Sequence, residues 1–430
     1  MIAVRDRDTV WAVPLAAAML VWPALWNGYP IVFADTGTYL SQAIHWYLGW
    51  DRPPFYSLFM LPLHMTVSTW PVVGAQALLA VWVVRMACRA LLPRYAERWL
   101  PLVVLPLAVA TWLPFLVCQL MPDVFTPLLV LVLCVGLRGW RWVAFAAFAI
   151  AAQQSSLVLS MVLLTAPWLG SARPHTKPAM AAFMAPVLAV IGLLAVNLIG
   201  HGRLAISPFG NVFVLARVIY DGPGMDVLRR DCPEAGWRLC RFLDRFPAIS
   251  DEFLWRSDSP IVLAGGHKAV SAEANAIIAA ALWAEPAREL GAVLANAAEQ
   301  LTRFASGDGL EAWPTEVTPW IERDFPPAER ARYAAGSQAR GLLMLPPWLA
   351  TLHAGVAITG IVACVALLPF ALRRRHKAAR LLLLTLIVLP ASAMITGGLS
   401  TPHDRYQSRI MWLPPFVAAL SAAALLRRSA

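Results

Sequence analysis

Gln153-Gln-Ser-Ser156 decides how this chain is threaded, because it interrupts an otherwise apolar run over residues 142–170. Crossing a bilayer core of ~30 Å takes roughly 20 apolar residues, and each half of this run is shorter. Two short helices meeting at a polar elbow would go out and back. One tilted helix would instead cross once and reverse the sides of everything downstream. Working outward, apolar runs occupy 10–27, 71–92, 99–118, 124–137, 142–153, 156–170, 178–199, 346–371, 380–397 and 410–426. The basic clusters are Arg5/Arg7, Arg85/Arg89/Arg94/Arg98, Arg138/Arg141, Arg173/Lys177, Arg373–Arg375/Lys377/Arg380 and Arg427/Arg428. They share one side only if the elbow is real. That choice predicts about ten crossings with both termini in the cytoplasm.

Composition agrees with a membrane class. The 430 residues are 59% hydrophobic and 14% charged, with a mean hydropathy of +0.62; soluble chains carry near 25% charge. The 19 tryptophans suit two interfacial belts. A net charge of +10 raises nucleic acid as a partner. The basic residues sit in short loops between apolar runs, however, and no helix-turn-helix, zinc ribbon or RNP-like run accompanies them, so nucleic acid is excluded. The first apolar run follows Arg5 and Arg7 but no small-residue cleavage site follows it, which predicts a retained helix rather than a signal peptide. The expected fold class is therefore an all-α polytopic membrane protein of the bacterial inner membrane.

Three segments fall opposite the basic side: 28–70, 200–345 and 398–409. They divide the chain into an N-terminal transmembrane module (1–199), an extracytoplasmic, mostly helical domain (200–345) and C-terminal transmembrane helices (346–430). Phe55–Trp70 is short and holds Pro62, which suits lying in the interface. The 200–345 insert is too long for a structureless loop. It shows helix-like stretches at 210–220, ended by Asp221-Gly-Pro-Gly224, and at 270–304, interrupted by Pro286. Cys232 and Cys240 lie in it and are free to pair if it faces an oxidising compartment; Cys88, Cys118, Cys134 and Cys364 lie in apolar runs and read as core residues.

The residues that could carry chemistry lie on the outer side. In Phe33-Ala-Asp-Thr-Gly-Thr-Tyr39, Asp35 suits a general base and equally an N-cap for a helix starting at Thr36. Arg52-Pro-Pro54 fixes an extended backbone, where Arg52 has Asp51 as a surface partner. Asp123, after Pro122, suits the positive end of a helix. The last outer loop carries His403, Asp404, Arg405, Tyr406 and Arg409. Two guanidiniums there suit a phosphate, lipid headgroups or acids of the 200–345 domain. His45, His64 and His353 read as packed or interfacial rather than as ligands. No nucleotide loop, HExxH, GxSxG or Ser-x-x-Lys motif is present.

Taken in order, these motifs resemble the GT-C superfamily of membrane glycosyltransferases, which use polyprenyl-phosphate-linked sugars outside the membrane. Asp35 and Tyr39 match its first-loop acid and aromatic, and Arg52-Pro-Pro-Phe-Tyr56 its basic-Pro-Pro run. Pro122-Asp123 matches its acid opening the fourth span, and Arg405-Tyr406 with Pro414-Pro415 its late motif. The resemblance covers about the first 170 residues and the last 50. It implies a GT-C-like bundle and transfer of a sugar, with inversion, from a polyprenyl-phosphate donor to a hydroxyl of a lipid, polysaccharide or protein acceptor. Asp35 would be the catalytic base and Arg405, with Arg409, would stabilise the departing phosphate. Arg52 and Asp123 would orient the acceptor or hold Asp35. Two departures accompany it. Asp35 stands between Ala34 and Thr36 rather than beside a second acid, so no cofactor is required and a divalent metal lacks paired carboxylates. Gln153–Ser156 stands where relatives carry a lysine or histidine. The rival classes are a lipid-linked glycan transporter, expected to carry inverted repeats and mid-membrane charges, and a non-catalytic scaffold docking through 200–345.

Overall fold

The chain breaks at the elbow. Helix Trp140–Ala152 ends where Gln153 turns extended (φ −133°, ψ 96°), and a new helix runs from Ser155 to Thr165. The computed structural model describes residues 11–93, 96, 98–137, 139–166, 176–232 and 234–427, without the side chains of 176–181. Arg5, Arg7, Arg94, Arg138, Arg173 and Arg428 of the basic clusters, the Lys177 side chain and the end of the sixth expected span (167–170) lie outside the described residues. Helix accounts for 71% of the structure, and no strand forms among the described residues; one isolated bridge joins Ile31 to Gln119.

Among the described residues, five stretches are long and apolar enough to cross a bilayer: Trp70–Leu91, Ala182–His201, Pro347–Arg373, Ala378–Thr396 and Asp404–Leu426. The described residues thus form an all-helical membrane protein with five such helices, where ten crossings were expected. The other expected spans are shorter or broken, for reasons visible in the residues. The first splits into Ala12–Ala18 and Trp22–Asn27, with Pro23 at the start of the second piece. The third splits into Leu100–Ala110 and Leu113–Cys118 around an extended Thr111 (φ −141°, ψ 166°); Pro106 lies inside the first piece and Pro114 opens the second, and each proline removes a helical donor. At 1.5 Å per residue an eleven-residue helix such as Leu100–Ala110 covers ~16 Å, about half the core.

The polar segments are helical too. In the first, Thr36–Ile44 and Phe55–His64 form; the latter holds Pro62 and stops at Met65 and Thr66, both in the left-handed region. Between residues 211 and 302 the larger helices are Asn211–Tyr220, His267–Ala284 and Pro286–Thr302. Val212, Leu215, Phe253, Ile261, Val270 and Ile277 build a core of their own. Residues 310–343 pack elsewhere: Leu310, Val317, Ile321, Phe325 and Tyr333 join the main core with Tyr29 and Tyr39. Gly37 lets Thr36–Ile44 seat against this layer, since a Cβ there would meet Glu316 O at 2.1 Å. Cys232 and Cys240 form a disulfide, and Cys88, Cys118, Cys134 and Cys364 are free and buried.

Candidate functional site

Asp35 occupies the N-cap position of Thr36–Ile44 but makes no capping hydrogen bond. The turn is held instead by Thr36, whose Oγ1 accepts from Phe33 N at 2.9 Å and donates to Leu120 O at 3.1 Å. The carboxylate is thereby left to Arg52, whose Nη2 donates to Oδ1 at 2.8 Å. Arg52 also reaches Asp51, with Nε 3.7 Å from Oδ2. The closer partner is Asp35, so the expected Asp51–Arg52 surface pair is one link of a larger arrangement.

Arg405 extends it. Its Nη2 is 3.8 Å from Asp35 Oδ2 and its Nε 3.8 Å from Asp123 Oδ1. Arg409 Nη1 donates to Asp123 Oδ1 at 3.2 Å. Asp123 likewise makes no capping bond in its short helical turn Pro122–Val124. Asp51, Arg52, Asp35, Arg405, Asp123 and Arg409 thus alternate in sign along one chain of contacts. The elbow closes the far end, since Arg409 Nη2 donates to Ser155 Oγ at 3.4 Å and Ser156 Oγ pairs with Thr126 Oγ1 at 3.1 Å.

The network is shielded but not saturated. Side-chain exposure is 11% for Asp35, 12% for Arg405, 1% for Asp123 and 2% for Arg409. Asp35 Oδ2, Asp123 Oδ2 and the Nε atoms of Arg52, Arg405 and Arg409 are buried and make no hydrogen bond. Unmade hydrogen bonds in a buried charged group are costly, so these atoms mark where another polar group fits. Burial pushes the Asp35 carboxyl up, but Arg52 and then Arg405 outweigh it and hold the group below its ordinary value. For Asp51 burial wins, and the group lies above its ordinary value despite Arg52. Both directions follow from the balance of desolvation and neighbouring charge.

Aromatic rings brace the arginines. Arg405 lies 4.0 Å from the Phe33 ring centroid, and Tyr406 sits 5.7 Å from Arg405 and 5.8 Å from Arg409. Tyr39 is buried, edge-on to Tyr56 at 5.1 Å. Backbone anchors come from afar: Arg405 N donates to Asp308 Oδ2 at 2.9 Å. His403 and Asp404 stand outside the network. His403 Nε2 is 3.5 Å from Asp251, and Asp404 Oδ1 accepts from Ala305 N at 2.7 Å. The late loop therefore divides into anchors (His403, Asp404) and network members (Arg405, Arg409).

Several partners had no sequence signal. Trp255, from the 200–345 segment, lies 6.0 Å from the Arg52 guanidinium and stacks into a group with Trp50, Phe213 and His267. Asp308 is equally unremarked in the linear chain, whereas Ser155 belongs to the elbow the sequence singled out. Asp51 was visible only as a neighbour of Arg52. Among the described residues no group of three His, Cys, Asp or Glu side chains clusters to hold a metal ion. Each acid of the network instead faces a guanidinium. No family model, curated protein or solved structure matches this chain.

Proposed function

We propose that this protein is an integral-membrane glycosyltransferase of GT-C type. It would transfer a sugar, with inversion, from a polyprenyl phosphate to a hydroxyl acceptor at the periplasmic face of a bacterial inner membrane, with both termini cytoplasmic. One observation carries the reading: Asp35, Arg52, Asp123 and Arg405, from four motifs far apart in sequence, meet in one shielded network with unmet hydrogen-bonding atoms. The Cys232–Cys240 disulfide supports the outer side for the 200–345 segment, since disulfides persist where the compartment is oxidising.

The chemistry follows from the geometry. Asp35 is held ionised by Arg52 and Arg405, and its Oδ2 is the oxygen without a hydrogen bond. An acceptor hydroxyl there would give its proton to Oδ2 as its oxygen attacks the anomeric carbon. The bond from that carbon to the phosphate oxygen breaks, and the electron pair leaves with the polyprenyl phosphate. Charge then grows on the phosphate, where Arg405 and Arg409 would meet it. Arg405 is suited to this role because its contacts to Asp35 and Asp123, both 3.8 Å, are loose enough to exchange for a phosphate. Such an exchange removes a positive neighbour from Asp35 and adds a negative one, which raises its basicity when the donor is bound.

The test is transfer by purified protein in nanodiscs, given radiolabelled polyprenyl-phosphate sugars and a membrane extract. Label should appear in a product with wild type and not with Asp35→Asn. Absence of transfer from every donor, with the protein intact, would favour the transporter or scaffold classes.

A further inference from the structure

One helix of the 200–345 segment is built inside out. Pro286–Thr302 turns Glu289, Asn296 and Gln300 inward, all buried, while Leu290, Leu294 and Leu301 are 59%, 50% and 40% exposed. At 3.6 residues per turn these leucines fall on one face with Ala287 and Ala298, which are exposed as well. Charge stays at the edge of that face, at Arg288 and Glu299. A helix on the surface of a soluble domain has the reverse arrangement, with its apolar stripe toward the core.

The inward polar residues each have a partner. Glu289 pairs with Arg217, and Asn296 Nδ2 donates to Asp221 Oδ2 at 2.6 Å. Gln300 exchanges two hydrogen bonds with the His403 backbone, donating to its O at 2.8 Å and accepting from its N at 3.0 Å. The apolar face therefore cannot turn inward without stranding these groups. Gly397 and Gly398 follow the membrane-length helix Ala378–Thr396 and let Pro286–Thr302 close on its end. A Cβ on Gly397 would meet Gln300 Cβ at 2.5 Å and Asn296 O at 2.7 Å. One on Gly398 would meet Val293 Cγ1 at 3.1 Å and Met394 Sδ at 3.3 Å. Met394 is an exposed residue of the span, so apolar surface runs from the span onto the helix.

Isolated exposed leucines are ordinary. A whole helix face of them, over a polar underside and continuous with a membrane-length helix, is the pattern of a helix lying in the interface. Trp283, 87% exposed just before the helix, is placed as an anchor at the headgroups. A second copy of the chain would also cover the leucines, but the continuity with the span favours lipid. We infer that the Leu290–Leu294–Leu301 face of Pro286–Thr302 is seated in the acyl chains of the leaflet on the side of the acid–arginine network. The helix holds His403, two residues before Arg405, so this lipid contact also steadies the late loop. The seating depends on the membrane character of the chain and not on sugar transfer.

Photocrosslinking reads what lies against this face. The photoreactive residue p-benzoylphenylalanine is placed singly at Leu290, Leu294 or Leu301 of the full chain. A fourth protein carries it at Asp258, an exposed acid of the same segment paired with Arg256. Each is reconstituted in vesicles of phosphatidylethanolamine and phosphatidylglycerol, irradiated, and weighed intact by mass spectrometry. The probe is apolar and replaces exposed side chains, so no buried contact is lost. The three leucine positions should give adducts of one phospholipid mass at about tenfold or more the yield at Asp258, following the preference of an apolar side chain for hydrocarbon over water. Adducts of twice the chain mass would identify a second copy as the occupant. That result, no adduct at the leucine positions, or an equal lipid yield at Asp258 would each overturn the assignment.

Discussion

Two shielded carboxylates of this protein, Asp35 and Glu329, are treated in opposite ways. Glu329 Oε1 accepts from Tyr29 OH at 3.0 Å, Thr69 N at 2.8 Å and Thr69 Oγ1 at 2.9 Å, while Oε2 lies 3.4 Å from Arg332. It is fully buried, and it ties Tyr29, just past helix Trp22–Asn27, and the start of helix Trp70–Leu91 to its own helix, Pro327–Ala335. Asp35 has one good hydrogen bond, to Arg52, and an oxygen with none. A buried acid whose acceptors are filled by its own fold is a structural tie. One that the fold surrounds with cations yet leaves open has capacity for something else.

That contrast can be broken or sharpened by substitution. The largest effect expected is on turnover: Asp35→Asn should lower transfer about 10³-fold or more, as removal of a positioned base does, measured as label transferred per folded protein. Next is stability. Glu329→Ala strands the Tyr29 hydroxyl and the Thr69 donors, and should cost about 3 kcal/mol, measured by thermal or denaturant unfolding in detergent. Smaller is Arg405→Lys, which keeps the charge but loses the planar fork over Phe33; transfer should fall about tenfold with unfolding unchanged.

The smallest effect is a displacement in pH. The folded value of Asp35 lies below its ordinary value, so its ionised form, and the stability it contributes, persist above the ordinary value of about 3.9 and are lost as pH falls through the folded one. The acid limb of kcat/KM should therefore lie below about pH 4. The limb of kcat should lie higher, because a bound phosphate raises the pKa of the carboxylate. Coincident limbs would deny the exchange of Arg405 between acid and phosphate.

Much of this was legible in the linear chain because the residues concerned break a local rule. Asp35 abuts an apolar run, Arg405 and Arg409 crowd a short loop between two apolar runs, and Gln153–Ser156 splits a run that would otherwise be one helix. Each anomaly could be seen without a neighbour. Their convergence could not, since contacts such as Arg405 with Asp35 and Asp123 leave no periodicity behind. Nor could the tie at Glu329, which in sequence is an ordinary acid in the first turn of an amphipathic helix. Capping explained Asp35 and Asp123 equally well from sequence, and it failed at Asp35 because Thr36 took over the turn. The broken third span was written in Pro106 and Pro114, yet continuous hydropathy over 99–118 masked the break at Thr111.

The most direct measurement pairs turnover and stability in the same preparations of Asp35→Asn and Glu329→Ala. The expected result is that Asp35→Asn loses transfer with only a small drop in its unfolding midpoint, the stability lent by its charge, while Glu329→Ala loses far more stability and keeps transfer per folded molecule. An Asp35→Asn protein that turns over like wild type, or that loses transfer only because it unfolds, would contradict it.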